Sequence, residues 1–175
     1  MKNELKNLSA KGIIVSIYTN RIDPEVFACG YIMGVDKRYV YIKHITPGGE
    51  EDGIVVRRIE KIYRIEYGGN YENRIGKLYK LKKQTHEKYN LVIGDLDNLL
   101  LLSKEQELIM TISIGSEGEA EITAIVHSVK DEKIYLCIVN INGEKDGEAI
   151  IFRNDIESIN CDTRDEKDLR LLLNS

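Results

Sequence analysis

Arg57, Arg58, Lys61 and Arg64, interleaved with Tyr63 and Tyr67, are the side chains of this sequence whose types and spacing best suit chemistry. Lys and Arg neutralise phosphates and Tyr rings stack on bases, so the set fits single-stranded RNA or another polyanion. Lys77, Lys80, Lys82 and Lys83 add a basic helix end. The same residues also fit a solvated strand edge followed by a helix C-terminus, where cations are favoured. Composition leaves both readings open.

Catalytic constellations are not legible. His44, His86 and His127 stand apart, and no spacing among them and Cys29, Cys137 and Cys161 matches a zinc site. No Ser/His/Asp or Cys/His set is present in readable form. Asp52-Gly53 and Asp146-Gly147 recur, and read as turns in which Asp accepts backbone N–H groups and Gly takes positive φ. Pro47-Gly48-Gly49 has no following Lys-Ser/Thr, so it is no phosphate loop. The expectation is a binding module rather than an enzyme, with no cofactor and no metal.

What must position the basic set is a repeated unit. A shift of 94 residues lays the chain on itself: Leu5, Leu8 and Ser9 fall on Leu99, Leu102 and Ser103, and Tyr41 on Tyr135. Asp52-Gly53 falls on Asp146-Gly147, Ile62 and Ile65 on Ile156 and Ile159, and Ile75 and Leu78 on Leu169 and Leu172. One offset through helix-like and strand-like stretches indicates a tandem duplication. The copies span 1–81 and 95–175, with a linker at 82–94. A unit of this size buries only about 60% of its unfolded surface, so added burial between units or chains would stabilise it.

Within copy one, Leu5 and Leu8 predict a short helix over 2–9. Period-two, β-branched runs then predict strands at 13–18, 26–35, 39–45, 54–59 and 62–67, with a closing helix over 71–83 marked by Ile75, Leu78 and Leu81. Gly30 and Gly34 suit the sharp bends of a small barrel. Copy two repeats this order: helix 96–105, strands 108–114, 121–129, 134–141, 148–153 and 156–160, helix 165–173.

The net charge of -4 hides an asymmetry. Residues 1–83 hold 16 Lys+Arg against 10 Asp+Glu, a balance of +6, and residues 84–175 hold 9 against 19, a balance of -10. Drift on two solvated surfaces, mutual attraction of the copies, and a polyanion partner for copy one all accommodate this split. The counterparts of Arg57, Arg58, Lys61 and Arg64 are Ile151, Phe152, Asp155 and Ser158, so the basic set belongs to copy one alone. Three cysteines without a CxxC argue against a disulfide framework and for a reducing, cytoplasmic setting. The start of the chain lacks a signal-like apolar run, and the apolar stretch Leu99–Leu102 is too short to span a bilayer.

Gly30-Tyr31-Ile32-Met33-Gly34-Val35-Asp36, with Tyr39 and Ile42, resembles the first motif of the Sm/LSm family. Val55-Val56-Arg57-Arg58, with Ile62 and Ile65, resembles the second. The likeness covers roughly 3–67 and, more weakly, 97–160. Val40 stands where the family carries a base-reading Asn, and Ile59 where it carries a Gly after the motif Arg. In copy two those places hold Ile134 and Arg153, and Lys130 replaces the Asp. The resemblance implies an all-β chain with short helices: a tandem of two small Sm-like (SH3-like) five-stranded barrels, each behind a short helix. It leaves Asp36 and Arg58 as matches to family binding positions. With Arg57, Lys61 and Arg64 they form the candidate nucleic-acid site. The expected partners are RNA on copy one and further copies of the chain in a homo-oligomer. The alternative is a protein-interaction or assembly module without nucleic acid.

Overall fold

The computed structural model describes residues 1–87, 89, 94–115 and 120–175. The chain is mostly β, with ten antiparallel strands and four short helices, and divides into two compact units, Met1–Asp95 and Leu96–Ser175. Lys88 and residues 90–93, part of the expected linker 82–94, lie outside the described residues.

Unit one opens with helix α1 (Lys2–Lys11), which buries Leu5 and Leu8 and ends at Gly12 in the left-handed region. Five strands follow: β1 (Ile14–Tyr18), β2 (Ala28–Val35), β3 (Tyr39–Ile45), β4 (Glu51–Arg58) and β5 (Arg64–Tyr67). A single 3-10 turn, Ile59–Lys61, joins β4 to β5. Helix α2 (Asn70–Leu81) closes the unit. The ladders run β5-β1-β2-β3-β4. Alternation of side chains along the strands sends Val15, Ile17, Ile32, Val40, Ile42 and Val55 to one face with Leu5 and Leu8 of α1. Ile14, Cys29 and Ile45 go to the other face, packed with Ile75 of α2.

Unit two repeats the order with α3 (Leu96–Gln106), β6 (Ile109–Ile114), β7 (Ala120–Lys130), β8 (Lys133–Val139), β9 (Lys145–Phe152), a 3-10 turn Arg153–Asp155, β10 (Ile156–Cys161) and α4 (Arg164–Leu173). Its ladders run β10-β6-β7-β8-β9. The registers match pair for pair: Ile42 faces Ile32 and Val55 as Leu136 faces Val126 and Ala149, and Ile17 faces Ile65 as Ile112 faces Ile159. Even the irregularities repeat, at Ile32/Gly34 and Val126/Ser128, and at Lys43/Ile45 and Cys137/Val139. Such bulges bend a strand and sharpen its twist, so both sheets bend at the same two points.

Glycines mark two close approaches of the backbone, of which the repeat keeps only the second: Ala124 stands in unit two where unit one has Gly30. A Cβ on Gly30 would lie 1.9 Å from the Lys43 carbonyl oxygen, so only a bare backbone lets β2 approach β3 there. Gly49 and Gly143, both at φ +76°, lie under the closing helices; an added Cβ would stand 2.4 Å from Leu78 Cβ in one unit and 2.4 Å from Leu172 Cβ in the other.

Three expectations are corrected. The Asp-Gly pairs are not turns: Asp52-Gly53 lies in β4 and Asp146-Gly147 in β9. The bulge opposite accommodates Gly53 at φ +66°, and Asp52 turns its carboxylate to His44 Nδ1 at 2.8 Å. The turn comes earlier, closed by the amides of Gly49 and Gly143 donating to Thr46 and Asn140 carbonyls. The 94-residue shift fails in the first strand. Ile14 pairs with Tyr31 where Ile109 pairs with Ile125, an offset of 95 for β6 against 94 for β7. Helix α3, at 11 residues against 10 for α1, carries the extra residue. The fifth strand starts at Arg64, two residues after the expected Ile62, because its ladder begins where Arg64 faces Tyr18, the last residue of β1.

Candidate functional site

The five residues of the candidate nucleic-acid site do not form one open cationic surface. Asp36 is committed to the β2–β3 turn. Its Oδ1 accepts the backbone N–H groups of Arg38 and Tyr39, each at 2.7 Å, and its Oδ2 accepts the Tyr41 hydroxyl at 2.6 Å. Burial and this carboxylate together hold the Tyr41 hydroxyl protonated, well above its ordinary pKa. Arg57 donates to its neighbour's carbonyl, Val56 O, at 2.9 Å. Arg58 pairs with Glu60 at 2.8 Å, and its side chain is only 12% exposed. Lys61 is half-buried in the 3-10 turn. The strand period separates Arg57 from Arg58, and the turn carries Lys61 and Arg64 further on.

Arg64 belongs to a different group. The β1–β5 ladder sets it opposite Tyr18, and its guanidinium carbon lies 3.7 Å from the Tyr18 ring centroid. Tyr18 stacks on Phe27 with centroids 4.7 Å apart, and Phe27 meets Tyr71 edge-on at 5.4 Å. Arg21 lies over Tyr63, 4.8 Å from its centroid. The Tyr18 hydroxyl donates to Glu66 at 2.9 Å; burial first, then this carboxylate, raise its pKa. Exposed arginines held over rings place cationic groups at the start of β5, with Arg64 also paired to Glu66 at 3.4 Å. Unit two has Ser113, Ser158 and Glu157 in place of Tyr18, Arg64 and Tyr63, so the fold does not require the group.

Sequence reasoning placed Tyr63 and Arg64 near the site and missed Tyr18, Arg21 and Phe27, which only the β1–β5 register brings to them. The sequence does place a loop at residues 20–25, and the structure has it between β1 and β2; what sequence reasoning missed is its internal bonding and its exposed apolar side chains. Asn20 Oδ1 accepts the amides of Ile22 and Asp23, Asp23 Oδ1 accepts that of Glu25, and the Tyr63 hydroxyl donates to Asn20 O at 3.2 Å. This ordered loop carries Ile22 and Val26 at its surface, 93% and 58% exposed. Apolar residues on both sides of Pro24 in an otherwise polar stretch were the available signal.

A second surface lies on β9. Ile150 and Phe152 share one face of that strand and are 58% and 50% exposed; the counterpart of Ile150 in β4, Val56, is fully buried. Tyr135 faces Ile150 across the β8–β9 ladder. No protein-family model, curated protein or solved structure matches the chain. Function must therefore be argued from these surfaces alone.

Among the described residues no group of three His, Cys, Asp or Glu side chains could hold a metal ion, and no helix is long and apolar enough to cross a membrane. The buried Cys29 thiol is pushed up to about 11 by burial, so it stays protonated at neutral pH. The half-buried His86 is held by bonds from its two ring nitrogens, to the Tyr79 hydroxyl at 2.8 Å and the His44 carbonyl at 2.7 Å. Those bonds and the Gln84 acceptor for the Glu51 amide tie the segment after α2 to β3 and β4.

Proposed function

We propose that this chain is an assembly module made of two Sm-like barrels, and that copies of it join by pairing β9 of one chain with β5 of the next. The element order, a helix followed by five bent strands in each unit, supports the barrel reading. The observation that carries the assembly reading is the exposed apolar face of β9. Strand β9 bonds to β8 on one side, and Ile150 and Phe152 present large apolar surface beside its other edge. Exposed apolar edge strands invite pairing with another chain, and small barrels gain stability from the added burial. The occupant is a second copy because charge favours it: unit one is basic where unit two is acidic, so unlike units attract and like units repel. Light scattering at micromolar concentration and moderate salt tests this. Wild type gives a mass above 20.0 kDa that falls as salt rises, and Ile150→Glu lowers it. A wild-type chain that stays at 20.0 kDa at every concentration overturns the reading.

The Arg21–Tyr63 and Tyr18–Arg64 pairs favour a second reading, single-stranded RNA bound on unit one by phosphate contact and stacking. On this reading Arg64→Glu lowers affinity for a homopolymeric RNA about tenfold at low salt, more than Arg58→Glu does: both arginines pair with a carboxylate, but the Arg64 side chain is 46% exposed and its contact with Glu66 is the longer one, 3.4 Å, whereas that of Arg58 is only 12% exposed. Fluorescence anisotropy decides it: no binding by wild type at low salt, or equal loss in the two variants, refutes it.

A further inference from the structure

We infer that the β1–β2 loop of unit one, residues 20–27, is a prong that seats on the exposed Ile150/Phe152 face of a second copy and fixes the direction of assembly. The inference rests on the assembly reading and names the contact that makes it one-way.

Among the described residues each partner feature is seen in one unit only. The prong consists of Ile22 and Val26 on a loop stiffened by Asn20 and Asp23, with Arg21 lying on Tyr63. In unit two only five residues, Gly-Ser-Glu-Gly-Glu at 115–119, separate β6 from β7 in sequence, against 19–27 in unit one, and none of them is a large apolar residue. The receiving face, Tyr135, Ile150 and Phe152, exists in unit two only. Its counterparts Tyr41 and Val56 are fully buried, and Arg58 replaces Phe152. An ordered loop that holds two large apolar side chains in water makes no use of them within its own unit. Burying them on a partner releases that cost, at about 25 cal/mol for each Å² covered.

Position fits as well. The loop is tied to Tyr63 and so stands at the start of β5, while Phe152 ends β9. Every ladder within the two units is antiparallel, and an antiparallel join of β5 to β9 sets the start of one strand against the end of the other. The prong then lies against the Phe152 end. The contact is heterologous: prong and face are different surfaces, so each chain offers one of each and chains add head to tail.

The test uses two full-length variants, Ile22→Ser with Val26→Ser, and Ile150→Ser with Phe152→Ser. All four side chains are exposed, and unchanged circular dichroism checks that both variants fold. Light scattering at a concentration at which wild type assembles gives a monomer mass for each variant alone, with association weakened at least tenfold. An equimolar mixture gives a single species of about 40 kDa, because one intact prong meets one intact face and growth stops there. If wild type assembles and the prong variant assembles equally well, the inference is overturned and the edge reading stands. If both variants are monomers and their mixture stays so, the head-to-tail contact is overturned. A monomeric wild type overturns both readings together.

Discussion

Val56 and Ile150 occupy the same place in the two units, in the fourth strand and opposite Tyr41 and Tyr135 respectively, yet one is fully buried and the other faces water. The contrast continues along the strand, which is buried from Gly53 to Val56 in unit one and exposed through most of its length in unit two. Strand five shows the reverse: β5 is mostly exposed, whereas Ile156, Ile159 and Cys161 of β10 are buried. Two copies of one backbone thus differ in the exposure of their fourth and fifth strands. Backbone register, bulges and tight turns were kept because each is fixed by ladder geometry. The outward residues were free to change, as Arg58 against Phe152 and Arg64 against Ser158 show.

The largest effect that would sharpen this comparison concerns the paired glycines. Gly49→Ala and Gly143→Ala each place a Cβ against a helix at positive φ, and each costs about 2–5 kcal/mol from the left-handed backbone and the overlap. The costs are unequal. Both closing helices are held by a hydroxyl donating to a buried glutamate, Ser16 to Glu72 at 2.6 Å and Thr111 to Glu166 at 2.7 Å, but α2 is also pinned by the fully buried Ile75, and the segment behind it is tied down through Gln84 and His86. Leu172 of α4 is half exposed and can move aside. Urea unfolding therefore gives the greater loss for Gly49→Ala. Equal losses would show that both helices are held alike.

A smaller effect concerns pH and one buried thiol in the core of unit one. Cys29 has Thr123 as its counterpart, so only unit one carries a buried thiol in this place. Its folded pKa is pushed up to about 11 from an ordinary value near 9. Between those values the unfolded chain loses a proton that the folded chain keeps, so stability falls as pH rises through the window. The loss reaches about 2–3 kcal/mol at its top. Cys29→Ala removes the Cys29 share of this dependence and leaves that of the buried Cys161 thiol, which burial also raises. Urea midpoints at pH 8 and pH 10.5 measure it, and a wild-type slope no steeper than the variant's would mean the thiol ionises freely.

The repeat and the strand grammar were legible because Leu5/Leu99, Ile42/Leu136 and Ile62/Ile156 are core positions, and a core tolerates few changes of type or spacing. The start of β4 was not legible. Glu51, Asp52 and Gly53 have turn-forming composition, and only the bulge at Lys43/Ile45 lets them pair as strand. The basic set was read as one cluster because its members are close in sequence, but strand period and the 3-10 turn divide it. Arg64 finds Tyr18 through a ladder that joins residues far apart in the chain. The exposure of Ile150 and Phe152 left no trace in pattern, since alternation predicts two faces without saying which of them is covered.

The extra residue in α3 has a genetic consequence. Gain or loss of one codon within a ladder would turn every following side chain of that strand to the opposite face. The same event in the last turn of α3 was absorbed, with the chain leaving through Glu107 in the left-handed region as it leaves α1 through Gly12. The junction between first helix and first strand is therefore where the two halves of the gene can recombine with unequal lengths and still encode working sheets. Crossovers inside the strands must keep the reading of faces in phase.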